Sequence, residues 1–375
     1  MIYLIDTIGK EVGMHLYNNA FVTELRKFKI QTTVLSNYKT DNSIEYIPNF
    51  YKKKRIQKVL TLISTLFRFL ILIIKKKENV FIYQSYGMRN IDILFSIILS
   101  ISKSSFIIVH DVYTLTPNNK IDKNKKIKNL IYKYFVKRII CHSDQTKNIL
   151  SNIGYKGDLI LFPHFNYSFN KNIKKEELKS DIINSIKKDK LNLLFFGQIS
   201  LTKGIDILID SLNYINPEIN LKLNIIIAGV DKSNLITKKK LPPNVLKICR
   251  YINDSELNYL FTKTDFLLLP YKKIYQSGVL DTAVYFEKPS LLSDIKYFRD
   301  FNINYPSFSL IVSTSSAIAY AESIENLTKL NLSDKFFTKP DLNKYKADHN
   351  CSQLVNDINT ALSKQFLHHR LSTHK

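Results

Sequence analysis

Residues 195–206 read Phe195-Phe196-Gly197-Gln198-Ile199-Ser200-Leu201-Thr202-Lys203-Gly204-Ile205-Asp206. The aromatic pair closes the apolar run 191–196, which has the length of a buried strand and is too short for a helix. Gly197 ends the run, a short polar loop follows, and a helix is expected from Gly204 to Tyr214. Strand, loop and helix in that order form the repeating unit of a parallel sheet covered by helices. Ligands on such sheets sit at the carboxyl ends of the strands, where helix N-termini favour phosphate. Lys203 would bring a point charge to a diphosphate at that mouth. A loop whose lysine is merely solvated has the same composition.

Reading outward, the same alternation continues to both sides. Downstream, strands are expected at 223–227, 245–248, 265–269, 290–292 and 308–312, with a helix opened by Asp254-Ser255-Glu256. Upstream, strands are expected at 2–5, 32–35, 79–83, 106–109, 138–141 and 159–162. Helices are expected over 14–28, 55–75, 90–102 and 125–136, the first carrying Leu16, Ala20, Phe21, Leu25 and Phe28 on one face. Between the two runs, 166–190 is polar and lysine-rich with no apolar period. The fold class is therefore α/β, with two tandem Rossmann-like domains facing across a cleft. The first domain covers 1–166, on the acceptor side, and is completed by an amphipathic C-terminal helix near 350–375. A linker covers 167–190, and the second domain 191–349.

The chain has 375 residues, comfortable for two cores. Its 45% hydrophobic and 23% charged residues exclude a disordered protein. Fifty-five Lys and Arg against 32 Asp and Glu give a net charge of +23, a field that attracts phosphates, nucleic acid or an anionic leaflet. Cys141, Cys249 and Cys351 show no metal or redox spacing, which fits buried thiols in a reducing compartment. Met1 leads straight into an apolar strand with neither a basic n-region nor a cleavage site, so no signal peptide is read and a cytoplasmic location is expected.

A second segment repeats the phosphate-binding logic. After the strand 265–269 and Pro270-Tyr271 comes Gln276-Ser277-Gly278-Val279-Leu280-Asp281-Thr282-Ala283. Ser277 is placed to cap a helix whose bare amides at Gly278 and Val279 would hold phosphate oxygens. Asp281 and Thr282, one turn on, suit ribose hydroxyls. An ordinary serine N-cap reads the same way. In the first half, His110 follows the buried strand 106–109, and Gly13 lies in the loop after the first strand. A locally bonded histidine and a glycine required by a turn are the plain alternatives. His15 and His164 stay outside the main assignment.

Together these segments resemble the retaining glycosyltransferases of family 4, which have the GT-B fold. The resemblance spans nearly the whole chain and is strongest over 191–294: the Phe-Gly-x-x-x-x-x-Lys-Gly loop, the Asp-Phe-Leu-Leu-Leu-Pro-Tyr strand, and Ser277-Gly278-Val279-Leu280 followed by Lys288-Pro289. It implies that the second domain binds a nucleotide-diphosphate sugar as co-substrate, without a further cofactor. It also implies that Lys203 contacts the donor diphosphate and that Gly197, Gln198, Ser277, Gly278, Val279, Asp281 and Thr282 line the donor site. His110 matches the family's histidine at the transferring sugar, and Gly13 its loop glycine; His110 and Lys203 are the catalytic candidates. Two positions depart from the pattern. Gln198 stands where many members have arginine, and the places of the paired glutamates fall near Ile274 and Thr282. Asp281 is the neighbouring carboxylate. No Asp-x-Asp pair occurs, so no metal site is expected.

Residues 59–74 are apolar apart from a few polar positions and Arg68, and are flanked by Lys52-Lys53-Lys54-Arg55 and Lys75-Lys76-Lys77. Sixteen residues fall short of the roughly 20 that span a bilayer. A buried helix fits, as does a helix with one face in the membrane interface and its lysines on anionic headgroups. Residues 120–138 add basic residues around Ile127, Leu130, Ile131 and Phe135. The expected activity is transfer of a sugar to a glycan or lipid-linked glycan in bacterial capsule, O-antigen or exopolysaccharide synthesis, with peripheral contact to the inner face of the plasma membrane. A nucleotide-sugar epimerase of the same fold and a non-catalytic partner subunit are the rivals. No module that reads bases is present, which sets a nucleic-acid partner aside.

Overall fold

The computed structural model describes every residue except 10–13, 49–53, 114–123, 166–168, 170–172, 314–315, 331–335 and 373–375, and within helices omits the side chains of Arg55 and 364–372. The chain divides into two compact units. The first gathers Met1–Thr114, Lys120–Tyr167 and His349–Lys375; the second is built on Ser168–Asp348.

Unit 1 runs β1 (Ile2–Ile5), α1 (Met14–Lys27), β2 (Thr32–Ser36), β3 (Ser43–Glu45), α2 (Arg55–Lys75), β4 (Val80–Tyr86), α3 (Asn90–Leu99), β5 (Ser105–Asp111), α4 (Lys125–Tyr134), β6 (Arg138–Cys141), α5 (Asp144–Asn152) and β7 (Asp158–Leu161). Its seven strands are parallel in the order β3-β2-β1-β4-β5-β6-β7, so the order reverses between β1 and β4. Helices on both faces bury the central strands completely. This is why Phe81-Ile82-Tyr83 and Phe106-Ile107-Ile108-Val109 are continuous apolar runs. Short, half-polar β3 has no such run and is recruited by its pairing to β2, Val34 opposite Ser43. On α1 the inward face is centred on Tyr17, Ala20, Phe21 and Leu25, while Phe28 lies past the helix end and is exposed.

Helix α2 is two-faced. Leu62, Leu66, Phe69, Leu72 and Ile73 pack on the unit's core, whereas Ile56, Val59, Leu60, Ile63, Phe67 and Ile74 are exposed. The Arg68 guanidinium lies 4.5 Å over the Tyr46 ring, and the Tyr46 hydroxyl donates to the Arg68 carbonyl at 3.1 Å. By length and composition its segment 56–75 suffices to cross a membrane. The buried-helix reading thus describes one face of α2 only.

Unit 2 begins within the polar segment expected to be a linker. A single 3-10 turn (Lys175–Glu177) and α6 (Ser180–Ile183) are fastened to residues some 70 positions further along the unit. The Ser255 hydroxyl donates to the Glu177 carboxylate at 2.6 Å, and Arg250 bridges Asp181 at 2.7 Å and the buried Glu256 at 2.8 Å. Then come β8 (Leu191–Phe196), α7 (Ile205–Ser211), α8 (Pro217–Asn220), β9 (Leu223–Ala228), β10 (Val245–Ile248), α9 (Asp254–Lys263), β11 (Phe266–Leu269), α10 (Gly278–Tyr285), β12 (Ser290–Leu292), α11 (Lys296–Asn304), β13 (Ser309–Ile311), α12 (Ala317–Leu327) and α13 (Lys339–Asp348). The six parallel strands take the order β10-β9-β8-β11-β12-β13, reversing between β8 and β11. The last helix, α14 (Cys351–Ser372), returns to unit 1. There Leu354, Ile358 and Ala361 are buried, and Arg138 Nε donates to the Ala361 carbonyl at 3.3 Å.

Candidate active site

In unit 2 the two predicted segments meet at the carboxyl ends of β8 and β11, on either side of the point where the strand order reverses. Such a crevice is where doubly wound sheets take their ligands. Gly197 leaves β8 at φ 110°, and a Cβ added to it would lie 3.5 Å from Val279 Cγ2, so the first loop runs directly beside the start of α10. Lys203 ends a single turn that Gly204 closes in the left-handed region at φ 69°. A Cβ on Gly204 would fall 1.7 Å from the Pro270 carbonyl oxygen, a contact only glycine permits. The two loops are stitched further by Lys272 N donating to the Thr202 carbonyl at 3.0 Å and by the Lys272–Asp206 ion pair. As a result the Lys203 ammonium stands 3.9 Å over the centroid of the buried Tyr271 ring.

At the start of α10, the Ser277 hydroxyl accepts the Leu280 amide at 3.2 Å, and the Ser277 amide donates to the Tyr297 hydroxyl at 3.3 Å. Ser277 is thus spent as an N-cap, and the opening turn presents Gly278 and Val279 as half-buried backbone. Gln198 is exposed on the facing loop. Asp281 and Thr282 are turned inward. The Asp281 carboxylate accepts the Tyr345 hydroxyl at 3.5 Å, and the Thr282 hydroxyl donates to the Gly278 carbonyl at 2.7 Å. Ile274, at the place of the first family glutamate, is packed in an apolar cluster with Leu269, Tyr271, Leu280, Leu292 and Phe298.

In unit 1, Gly13 lies outside the described residues. His110, the last residue but one of β5, is buried in an aromatic cluster that the sequence alone did not reveal. Its ring stacks on Tyr86 at 4.6 Å and meets Tyr17 edge-on at 4.8 Å; His142 and His164 lie 5.3 and 6.2 Å away. The Tyr17 hydroxyl is 3.1 Å from His142 Nε2, and His142 Nδ1 is 2.9 Å from the Phe162 carbonyl. Burial, aided by the neighbouring imidazoles, holds His110 well below its ordinary value; the same causes push His142 down to about 3. Neutral rings are therefore the state at neutral pH. Among the described residues, no three His, Cys, Asp or Glu side chains are grouped to hold a metal ion. Beneath the cluster lie Asp6, Asn18 and Gln84, all fully buried. Asp6, Gln84 and His142 each sit at or beside the carboxyl end of a parallel strand, the signal by which they were open to prediction.

Comparison with known proteins bears on this arrangement. Residues 176–341 match the family described as glycosyl transferases group 1. A comparison with curated protein sequences gives no match. Among solved structures, sucrose-phosphate synthase from Thermosynechococcus elongatus is 16% identical, with a TM-score of 0.68 over 100% of this chain and 99% of that one. The Anabaena protein HepE, solved in complex with UDP-glucose, is 14% identical, with a TM-score of 0.63 over 99% of both chains. An α,α-trehalose-phosphate synthase (UDP-forming) from Burkholderia vietnamiensis is 8% identical, with a TM-score of 0.61 over 99% of both. At these identities the structural likeness speaks for the fold alone. Both units are parallel-sheet α/β domains of the GT-B fold, and the second is similar over residues 176–341 to the glycosyl transferases group 1.

Proposed function

We propose that the chain is a retaining glycosyltransferase. In this reading it moves a sugar from a nucleotide-diphosphate donor to a hydroxyl of a glycan or lipid-linked glycan, in the synthesis of a bacterial capsule, O-antigen or exopolysaccharide. The observation that carries it is the convergence in unit 2 of Lys203, held on Tyr271, with the Gly278–Val279 opening of α10 beside Gly197. As the sugar leaves, negative charge grows on the diphosphate oxygen. A fixed ammonium and backbone amides aimed at that charge stabilise it without reorganising, the largest single effect available to such a site. Gln198 is the exposed polar group beside them, and Ser277 keeps the helix start in shape. His110, neutral, takes the contact to the transferring sugar. The departing phosphate is assigned the acceptor's proton, since the family offers no other base.

The exposed faces of α2, α3 and α4 suit a peripheral seat on an anionic inner leaflet. Ile63 and Phe67 on α2, Ile97 on α3, and Ile127 and Leu130 on α4 are exposed, with Lys54, Lys58, Lys75, Lys76, Lys125 and Lys126 beside them. Apolar side chains entering the headgroup boundary and lysines on anionic lipid would act together.

The test is a thermal-shift screen of UDP-, GDP- and other nucleotide-sugars, since a true donor stabilises by mass action, followed by transfer to a lipid-linked acceptor. Lys203→Ala and His110→Ala are each expected to cut transfer strongly without unfolding the chain; near-normal rates in both would sink the assignment. Isomerisation of the donor with no acceptor present would favour an epimerase. Tight donor binding with no transfer would favour a non-catalytic subunit, the reading that buried Ile274 supports.

A further inference from the structure

His110 is tied to the loop after β1 by a series of side-chain hydrogen bonds whose direction is set from one end. Asp6 Oδ1 accepts the amides of Ile8 at 2.9 Å and Gly9 at 3.0 Å, and its Oδ2 accepts Asn18 Nδ2 at 2.8 Å. Burial raises the Asp6 carboxyl, while the Gly9 and Ile8 amides, Asn18 and Ser36 draw it back down; as a carboxylate accepting those donors it has no hydrogen to give, so Asn18 turns its nitrogen toward Asp6. The second hydrogen on that nitrogen goes to the Tyr38 hydroxyl at 2.9 Å. Asn18 Oδ1 is then the acceptor for Gln84 Nε2. This leaves Gln84 Oε1 as an acceptor, and it takes the Tyr86 hydroxyl at 2.7 Å and His110 Nε2 at 3.1 Å. An amide oxygen has no hydrogen to give, so the hydrogen on the His110 side of that contact belongs to Nε2.

The neighbouring imidazole is set the opposite way. His142 Nδ1 faces the Phe162 carbonyl, which can only accept, so Nδ1 carries the hydrogen and Nε2 accepts the Tyr17 hydroxyl. Two adjacent neutral histidines therefore hold opposite tautomers, each imposed by its own partner. Asp6, Asn18 and Gln84 are fully buried, where solvent cannot compete and a reversed amide would place oxygen against oxygen.

We propose that Asp6, Asn18 and Gln84 are positioning residues that lock His110 as the Nε2–H tautomer, making Nδ1 its acceptor nitrogen. The consequence for the reaction rests on the proposed contact between His110 and the transferring sugar. At Nδ1 a sugar hydroxyl must donate, and a fluorine in its place, which has no hydrogen to donate, is rejected. The relay thereby selects for a hydroxyl at the recognised carbon, because a substituent that can only accept makes no hydrogen bond to an acceptor nitrogen.

The test is long-range proton–nitrogen NMR on the full chain labelled with ¹⁵N-histidine, at neutral pH and without donor or acceptor. His110 is identified by the signals lost in His110→Gln. The expected result is the Nε2–H pattern for His110 and the Nδ1–H pattern for His142. In Gln84→Leu the His110 signals should move toward a mixture of tautomers, and transfer should fall about tenfold, the size of one hydrogen bond's net contribution. An Nδ1–H pattern for His110 in the unmodified chain overturns the proposal, and so does an unchanged tautomer in Gln84→Leu. Should Gln84→Leu fail to fold, the spectrum of the unmodified chain still decides. Absence of transfer by the unmodified chain would overturn the glycosyltransferase reading, while the spectrum would still decide the lock.

Discussion

The Lys203 ammonium lies 3.9 Å above the centroid of the Tyr271 ring, which itself packs on Phe298 at 5.4 Å. The ring face attracts the cation without cancelling its charge, which a phosphate can still feel. A cation on an aromatic face is worth about 0.5–2 kcal/mol. Tyr271→Phe keeps the face and should bind a nucleoside diphosphate as the unmodified chain does. Tyr271→Leu should weaken that binding by roughly 3–10-fold, leaving nucleoside affinity unchanged. Lys203→Ala should lower kcat by about 10²–10³. Calorimetry with nucleoside and nucleoside diphosphate separates the effects; equal losses for both ligands would mean that Tyr271 only supports the fold.

Gly204 is where the two loops of that site close on each other. Its φ of 69° is unfavourable for a side chain, and a Cβ would strike the Pro270 oxygen at 1.7 Å. Gly204→Ala should therefore cost about 1–3 kcal/mol from backbone strain alone. Because the displaced backbone carries Lys203, donor affinity should fall as well. Urea denaturation reads the first effect and donor titration the second; a variant as stable as the original would contradict the close approach.

Much of this architecture was legible in the sequence. Buried parallel strands such as 106–109 are uninterrupted apolar runs, and glycines bound the loops that matter, Gly197 and Gly204. What escaped was set by pairing rather than pattern. β3 has a single apolar residue between two polar ones and exists because β2 offers it hydrogen bonds. The polar stretch with the composition of a linker is held to unit 2 by Arg250 and Ser255, partners some 70 residues away that no local period announces. The Asp281 carboxylate, expected beside a ribose from its helix position, also accepts the Tyr345 hydroxyl, a contact 64 residues distant that no local pattern announces.

Arg250 ties α6, the loop after β10 and α9 together through Asp181 and Glu256. Burial raises the Glu256 carboxyl, but Arg250 and the Asn253 amide together outweigh it and hold the group below its ordinary value; Asp181 is held low first by its bond to Arg250. Groups with depressed folded values stabilise fully above their unfolded value near 4.5 and lose that contribution as pH falls. Arg250→Met leaves the buried Glu256 charge unpaired and should cost about 3 kcal/mol at pH 7. Thermal melts should show the gap to the unmodified chain narrowing below about pH 4.5, where the unfolded carboxylates protonate. A constant gap from pH 7 to pH 4 would refute the pairing as its source.

The histidine cluster has the same sign for a different reason. His142, pushed down to about 3 by burial and by His164, stays neutral in the fold while an unfolded histidine protonates near 6.5. Protons therefore bind the unfolded chain first. Stability is full above about pH 6.5 and declines as pH falls toward the folded value. In His142→Asn, the amide can still donate to the Phe162 carbonyl but nothing titrates, so Tm should fall less steeply between pH 6.5 and 5. Parallel Tm profiles for the two proteins would exclude His142 as a source of acid sensitivity.

Ile63 and Phe67 lie one turn apart on the exposed face of α2, while Phe69 and Ile73 face the core. Asp at either exposed position touches no core contact, so Ile63→Asp and Phe67→Asp should leave stability within about 0.5 kcal/mol. At a membrane interface the same changes matter more. Burying one such side chain contributes about 1.5–3 kcal/mol, and a carboxylate also opposes anionic headgroups. Co-sedimentation with vesicles rich in phosphatidylglycerol should then fall by roughly tenfold or more in each variant. Binding of the unmodified chain should weaken as salt is raised, because lysines beside the apolar stripe act through a screened field. Neutral phosphatidylcholine vesicles supply the control, and they should bind less at low salt. Equal binding of both variants and the unmodified chain to anionic vesicles would mean that this face serves some other contact.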